Sequence, residues 1–330
     1  MPGNLIRAAV TGLGVYVPEK VITNDILEEM VDTSDEWIIE RSGIRERHVV
    51  AEDEATSDMA SIAAVRALAD AGVEPEEVDL IIVATNTPDM PFPATACLVQ
   101  ERIGAKRAGA FDLAAGCTGF ICAAAAGSQF IATGACRNVL VIGAECLSRI
   151  TNWEDRNTCV LFGDAAGAVL LQPSLGESGI LSFKLRSDGK GARLLYMPAG
   201  GSRRPATRET VENKEHYIHM NGREVFKFAV RAMGEAAEEA LACAGLSAED
   251  VDLFIPHQAN VRIIDAAAKR LGLSPGKVFV NVDRYGNTST ASIPLALYEA
   301  VTAGAVKKGQ NIVMVGFGAG LTWGAMVLRW

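Results

Sequence analysis

Long apolar runs without polar alternation mark the strands of this chain. Leu80 to Ala84, Val139 to Gly143, Gly167 to Leu171, Leu253 to Pro256 and Ile312 to Gly316 are all of this kind. Such runs predict sheet covered on both faces. Alanine-rich segments with helical character precede two of them, Ile62 to Ala71 before Leu80 and Val225 to Ala244 before Leu253. A polar stretch from Pro198 to Tyr217, rich in Gly, Arg, Glu and Thr, interrupts the second half and predicts a surface excursion. Strands alternating with helices place the chain in the α/β class.

The pattern also repeats. ALADAGVEPEEVDLII (67–82) aligns with ALACAGLSAEDVDLFI (240–255), and Asn138-Val-Leu-Val-Ile-Gly143 aligns with Asn311-Ile-Val-Met-Val-Gly316 at the same offset. A third pair, Gly167-Ala-Val-Leu-Leu171 and Gly324-Ala-Met-Val-Leu328, falls at a shorter offset, so the first half carries an insertion around Leu147 to Asp164. Two separated matches in one register read as duplication. Residues 1–173 and 174–330 are therefore the two expected halves, fused without a flexible linker.

Composition narrows the setting. Of 330 residues, 49% are hydrophobic and 22% charged, which describes a soluble globular chain. No apolar run approaches a bilayer span, and the N-terminus has no signal-like apolar core. Seven cysteines without a CxxC pair argue against a disulfide framework and a zinc site, so the expected compartment is the reducing cytoplasm. A net charge of −9 argues against nucleic acid as a partner, and no membrane partner is expected. An acidic protein partner would need a local basic patch.

Candidate chemistry sits at the ends of the predicted elements. In FDLAAGCTGF (111–120), Phe111 to Ala115 read as the end of a strand and the segment from Gly119 as an apolar helix, so Cys117 stands on the turn between them. Buried cysteine is common as core filler, whereas a helix N-terminus predicts a stabilised thiolate. This stretch alone leaves both open. Adding the repeat offset to Cys117 gives Thr290, inside RYGNTSTASIP (284–294). In a duplicated fold the two helix starts face each other across the centre, which predicts Asn287 near Cys117. His257 ends the strand of LFIPHQAN (253–260), at the carboxyl edge where open α/β sheets place ligands. The other histidines, His48, His216 and His219, read as surface residues, and His216 with His219 lacks the further ligands of a metal site.

AGCTGF, PHQAN and GNTSTASIP in that order, followed by GFGAGLTWG (316–324), closely resemble the β-ketoacyl-[acyl carrier protein] synthase III family over essentially the whole chain. The resemblance implies a thiolase-like fold, a five-layered αβαβα arrangement of duplicated halves. It implies an acyltransferase that joins an acyl-CoA primer to malonyl-acyl carrier protein by decarboxylative Claisen condensation, through an acyl-cysteine, to initiate fatty-acid synthesis. No cofactor or metal is implied. Cys117 becomes the nucleophile, with His257 and Asn287 as hydrogen-bond donors to the enolate oxygen and the backbone N–H groups of Cys117 and Ala319 as the oxyanion hole. Many relatives carry glycine at the position of Ala319, and a positive φ there would strain an alanine.

The same resemblance assigns Trp37 and Arg156 to the CoA adenine, with Arg41 and Asn260 beside them, and implies a homodimer in which Phe92 walls the acyl pocket across the interface. Trp37 and Arg41, four residues apart on a capped helix ending at Gly43, share a face. Two basic stripes are candidate carrier-protein docking sites, Arg262 with Lys269 and Arg270, and Lys227 with Arg223 and Arg231.

Rival readings fare unevenly. TGLGVYVP has Val17 and Pro18 where a dinucleotide fingerprint needs glycine and a helix start. A thiolase would need a second, C-terminal cysteine, but the last one is Cys243; an elongating synthase would need a second histidine in place of Asn287. A related Cys-His-Asn condensing enzyme of polyketide or quinolone biosynthesis remains open, and a non-catalytic scaffold would have little reason to keep all three polar groups.

Overall fold

The computed structural model describes residues 6–174 and 176–330; the first five, part of the segment read above for a leader, lie outside the described residues. Nine strands form two sheets. The first runs Ala8–Tyr16, Ala165–Pro173, Val139–Glu145, Leu80–Ala84, Gly109–Leu113 in spatial order, and the second Gly179–Ser187, Thr322–Arg329, Asn311–Gly318, Leu253–Pro256. Both share one pattern of directions: the first two neighbours pair antiparallel, the next two antiparallel, and the following two parallel. Where the first sheet has Gly109–Leu113, the second has only a parallel bridge between Phe254 and Val278.

Helices fill the spaces above, between and below. Thr56–Ala71 and Thr95–Ile103 cover the outer face of the first sheet, with Ala63, Ala67 and Val99 packed on Ile81 and Val83. Gly119–Ala132 and Ser292–Thr302 lie between the sheets, where Ile121 and Leu297 share one core with Ile82, Ile255 and Met314. Gly222–Ala244 and Val261–Arg270 cover the second sheet through Met233, Ala237 and Ile263. The result is five layers, αβαβα. Burying each large aliphatic side chain here contributes about 1.5–3 kcal/mol, which is why strands with no polar face are tolerated.

Several boundaries move. The first alanine-rich helix begins at Thr56 rather than Ile62, the later one at Gly222 rather than Val225, and the strand before Cys117 ends at Leu113. The insertion folds as two short helical turns, Leu147–Ile150 and Arg156–Cys159. His48 is not a free surface residue: it is half-buried, with Nδ1 2.6 Å from the Pro18 carbonyl oxygen. Its neighbour Arg47 is fully buried and donates to the carbonyls of Ile22 and Val160, tying the insertion to the strand Lys20–Thr23. No helix among the described residues is long and apolar enough to cross a membrane.

Candidate active site

Cys117 sits in the connection between Leu113 and the helix starting at Gly119, at the foot of the loop after Asn311–Gly318. Two glycines permit that approach. Gly116 has φ of +55°, and a Cβ on Gly318 would fall 2.3 Å from the Cys117 nitrogen. The loop thereby lays Gly318 and Ala319 against the cysteine turn. Ala319 is not in the left-handed region; the positive φ, +137°, belongs to Gly320, so the anticipated strain at the alanine is absent.

A stabilised thiolate was one of the two readings of this turn, and the surroundings of Cys117 act against it. Burial pushes the Cys117 thiol up to about 12, with the Ser289 hydroxyl opposing and Glu145 adding to the rise. Moving from the ordinary 9.0 to about 12 corresponds to about 4 kcal/mol, while a helix N-terminus returns at most about 2 kcal/mol. Burial therefore favours the thiol over the thiolate at Cys117.

His257 follows its strand directly and is held by its backbone N–H, 2.7 Å from the Val315 oxygen. Its ring packs edge-on to Phe317, and Nδ1 lies 2.7 Å from Ser292 Oγ. Burial lowers its pKa from 6.5 to about 3, so the imidazole is neutral. Asn287 is oriented by its own turn: Oδ1 accepts the Ser289 N–H at 2.9 Å, which leaves Nδ2 as the outward end. Neither Asn287 Nδ2 nor His257 Nε2 has a protein partner among the described residues. Cys117, His257 and Asn287 line one cavity of about 690 Å³.

The rest of that cavity runs outward past Trp37, Arg41, Phe226, Asn260 and Arg262. Ser34 caps the helix Asp35–Ser42 by accepting the Trp37 N–H, and Gly43 ends it at φ +81°. Half-buried Trp37 has Arg41 5.7 Å and Arg156 5.3 Å from its ring centroid. Asn260 has both polar ends engaged: Nδ2 donates to the Arg41 oxygen and Oδ1 caps the next helix at the Arg262 N–H. It braces the cavity wall rather than offering a free amide. Phe92 lies away from the cavity and is 84% exposed.

The basic stripes separate. Arg262 stands at the mouth over the Phe226 ring, together with Arg223 and Lys227, although Lys227 pairs with Glu224. Arg270 instead turns onto the neighbouring helix, bound to Glu238 at 3.1 Å and Glu235 at 3.6 Å. That corrects its place among the free docking charges. Lys269 is exposed beside it, at the far end of the same helix from Arg262.

Sequence reasoning missed the polar floor of the site. Glu145, fully buried at the end of its strand, accepts hydrogen bonds from Asn86 N–H and Nδ2, Thr87 and Ser289. Burial pushes its carboxyl pKa up while those donors pull it down. Ser289, at φ +49°, is the link between this carboxyl group and the cysteine turn. The available signal was a lone carboxylate closing an apolar strand run.

Comparisons agree with this geometry. Residues 111–189 match the family described as 3-oxoacyl-[acyl-carrier-protein (ACP)] synthase III, and residues 241–330 match its C-terminal counterpart. The chain is 59% identical to the β-ketoacyl-[acyl-carrier-protein] synthase III of Desulfitobacterium hafniense over 99% of its length and 98% of the relative's. With the synthase III of Symbiobacterium thermophilum it shares 62% identity over 97% of both chains. The crystal structure of 3-oxoacyl-[acyl-carrier-protein] synthase III from Aquifex aeolicus superimposes with a TM-score of 0.91 at 51% identity, covering 98% of this chain and 100% of that one. The fold is thiolase-like, and the chain belongs to the β-ketoacyl-[acyl-carrier-protein] synthase III family.

Proposed function

We propose that this protein condenses an acyl-CoA primer with malonyl-acyl carrier protein, initiating fatty-acid synthesis. The observation that carries the reading is one cavity holding a thiol, a ring nitrogen of neutral His257 and the Asn287 amide nitrogen, the last two without a protein partner among the described residues. Cys117 Sγ attacks the primer carbonyl and forms the new thioester bond. The bond to CoA breaks, and the proton lost by the thiol ends on the departing sulfur. Backbone N–H groups of Cys117 and Ala319 are the donors for the intermediate oxyanion. Malonyl thioester then enters and loses CO₂. The electron pair left behind becomes an enolate, whose oxygen accepts from His257 Nε2 and Asn287 Nδ2. Its carbon attacks the acyl-Cys117 carbonyl, breaking the bond to Cys117 sulfur; the β-ketoacyl product leaves, and the thiolate regains its proton from solvent.

This division suits the electrostatics. Neutral His257 donates without protonating the enolate carbon as a strong acid would, and Asn287 cannot titrate. The polyketide alternative is not favoured, because relatives at 59% and 62% identity are β-ketoacyl-[acyl-carrier-protein] synthases III.

The outer cavity is the proposed CoA passage. Adenine enters between Trp37 and Arg156, whose present 5.3 Å separation has to widen; Arg41 supports the stack and Asn260 the wall. Arg262, Arg223 and Lys227 at the mouth are the proposed contacts for an acidic carrier, with Lys269 more peripheral. A second copy of the chain is the proposed cover for Gly109–Leu113, an edge strand bearing exposed Phe111 beside the Phe92 segment. Seven free cysteines fit a reducing, cytoplasmic setting. We propose residues 1–173 and 174–330 as the two repeat copies.

Incubation with acetyl-CoA and isobutyryl-CoA, followed by peptide mass spectrometry, tests the reading. An acyl adduct on the Cys117 peptide is expected. An adduct on another cysteine alone, with Cys117→Ala still condensing, contradicts it.

A further inference from the structure

His257 is useful as a donor only if its proton sits on Nε2, and something has to hold it there. Its other nitrogen meets Ser292 Oγ at 2.7 Å, and both side chains are 1% exposed. Ser292 opens the central helix Ser292–Thr302, so its hydroxyl is fixed by backbone shared with the two-sheet core. The Gln258 N–H points at the same oxygen, 3.4 Å away. Gln258 is itself locked: Nε2 donates to the Pro256 and Phe279 oxygens, and Oε1 accepts the Asn281 N–H. The hydroxyl thus already faces a backbone donor. Its single proton has no acceptor but Nδ1 among the described residues. A buried hydroxyl proton left without an acceptor is costly, so it goes to Nδ1.

We propose that the Ser292 hydroxyl donates to Nδ1 of His257 and thereby fixes the tautomer that carries its proton on Nε2, making Ser292 a positioning residue for the decarboxylation step. The inference rests on the reading of His257 as an enolate donor. The reverse arrangement, Nδ1–H donating to Ser292, would strand the hydroxyl proton and turn an Nε2 lone pair toward the enolate oxygen, repelling charge where it forms. The helix N-terminus at Ser292 acts in the same sense, because its partial positive charge disfavours imidazolium. Acylation makes no such demand, since the proton that Cys117 loses leaves with CoA.

The test combines ¹⁵N-histidine NMR with two half-reactions in the full-length protein. In the unsubstituted protein, His257 should show protonated Nε2 and unprotonated Nδ1 around neutral pH. Ser292→Ala removes the donor, and Ser292→Cys keeps nearly the same shape with a much weaker one, which covers the case in which the alanine variant does not fold. Both should lose the single tautomer and slow malonyl decarboxylation by about 10- to 100-fold, with KM for malonyl-carrier protein and the extent of Cys117 acylation unchanged. Nδ1–H in the unsubstituted protein overturns the proposal. So does a tautomer change without a rate change, or the converse. If His257→Ala itself decarboxylates normally, the enolate-donor reading has failed instead, and the NMR result still reports on Ser292.

Discussion

The helices starting at Gly119 and at Ser292 occupy equivalent places between the two sheets, yet their opening turns meet different neighbours. In the first, Cys117 faces the cavity. In the second, the equivalent residue Thr290 is 1% exposed and donates to the Ala84 oxygen at 2.8 Å, its methyl group beneath Gly119. Residues flanking Thr290 then turn to the other site: Asn287 lines the cavity, Ser289 reaches Glu145, and Ser292 meets His257. One backbone corner, used twice, presents its residue to a cavity in the first case and seals it as scaffold in the second. Access and neighbours, more than the helix terminus, set the two corners apart.

Moving the thiol to the closed corner breaks this comparison most severely if the comparison is wrong. Cys117→Ala should abolish acyl-enzyme formation, and adding Thr290→Cys should restore none of it, because that site is sealed. Mass spectrometry after acyl-CoA treatment checks both, and an acyl adduct at position 290 would refute the closed-corner account.

The next effect is on stability. His257 has a folded pKa of about 3 against 6.5 when unperturbed, so below 6.5 the unfolded chain binds the extra proton. Stability should therefore fall as pH drops from about 6.5 toward 3, by up to about 1.4 kcal/mol per pH unit from this group. His257→Gln should remove that component. Urea unfolding of both proteins at pH 7.5, 6.5 and 5.5 measures the difference in slope; equal slopes would mean that the histidine is not buried neutral.

The smallest effect belongs to the rim. Arg262→Glu should raise KM for malonyl-carrier protein several-fold, less so at high salt, and leave primer acylation nearly unchanged. An equal defect in acylation would place Arg262 in the CoA passage instead.

The sequence made part of this arrangement legible. Leu80–Ala84 and Leu253–Pro256 were readable to the residue because continuous apolar runs have few alternatives. The first turn of the Thr56 helix was not, since Thr-Ser-Asp reads as loop until Asp58 is seen accepting the Ala55 N–H. That Cys117 and Asn287 stand on turns and His257 at a strand end was legible from local pattern, and the repeat offset already brought Asn287 toward Cys117. The thiol state of Cys117 was not local. Burial raises its pKa, the loop at Gly318 packs on its backbone, and Ser289 and Glu145, distant in sequence, pull in opposite directions. Arg270 likewise looked free until Glu235 and Glu238 on another helix came within reach. Glu145 showed itself only as a lone carboxylate closing an apolar run; its role was not legible, as its donors come from residues 86–87 and 289.

The central claim is that one half supplies the nucleophile and the other the enolate donors, and one measurement tests it directly. His257→Ala and Asn287→Ala are each given acyl-CoA and malonyl-carrier protein, with acyl adduct on Cys117 and CO₂ release followed separately. The account predicts near-normal acylation in both variants and a fall in CO₂ release of about 100-fold or more. Undiminished CO₂ release from both, or lost acylation with decarboxylation intact, would contradict it.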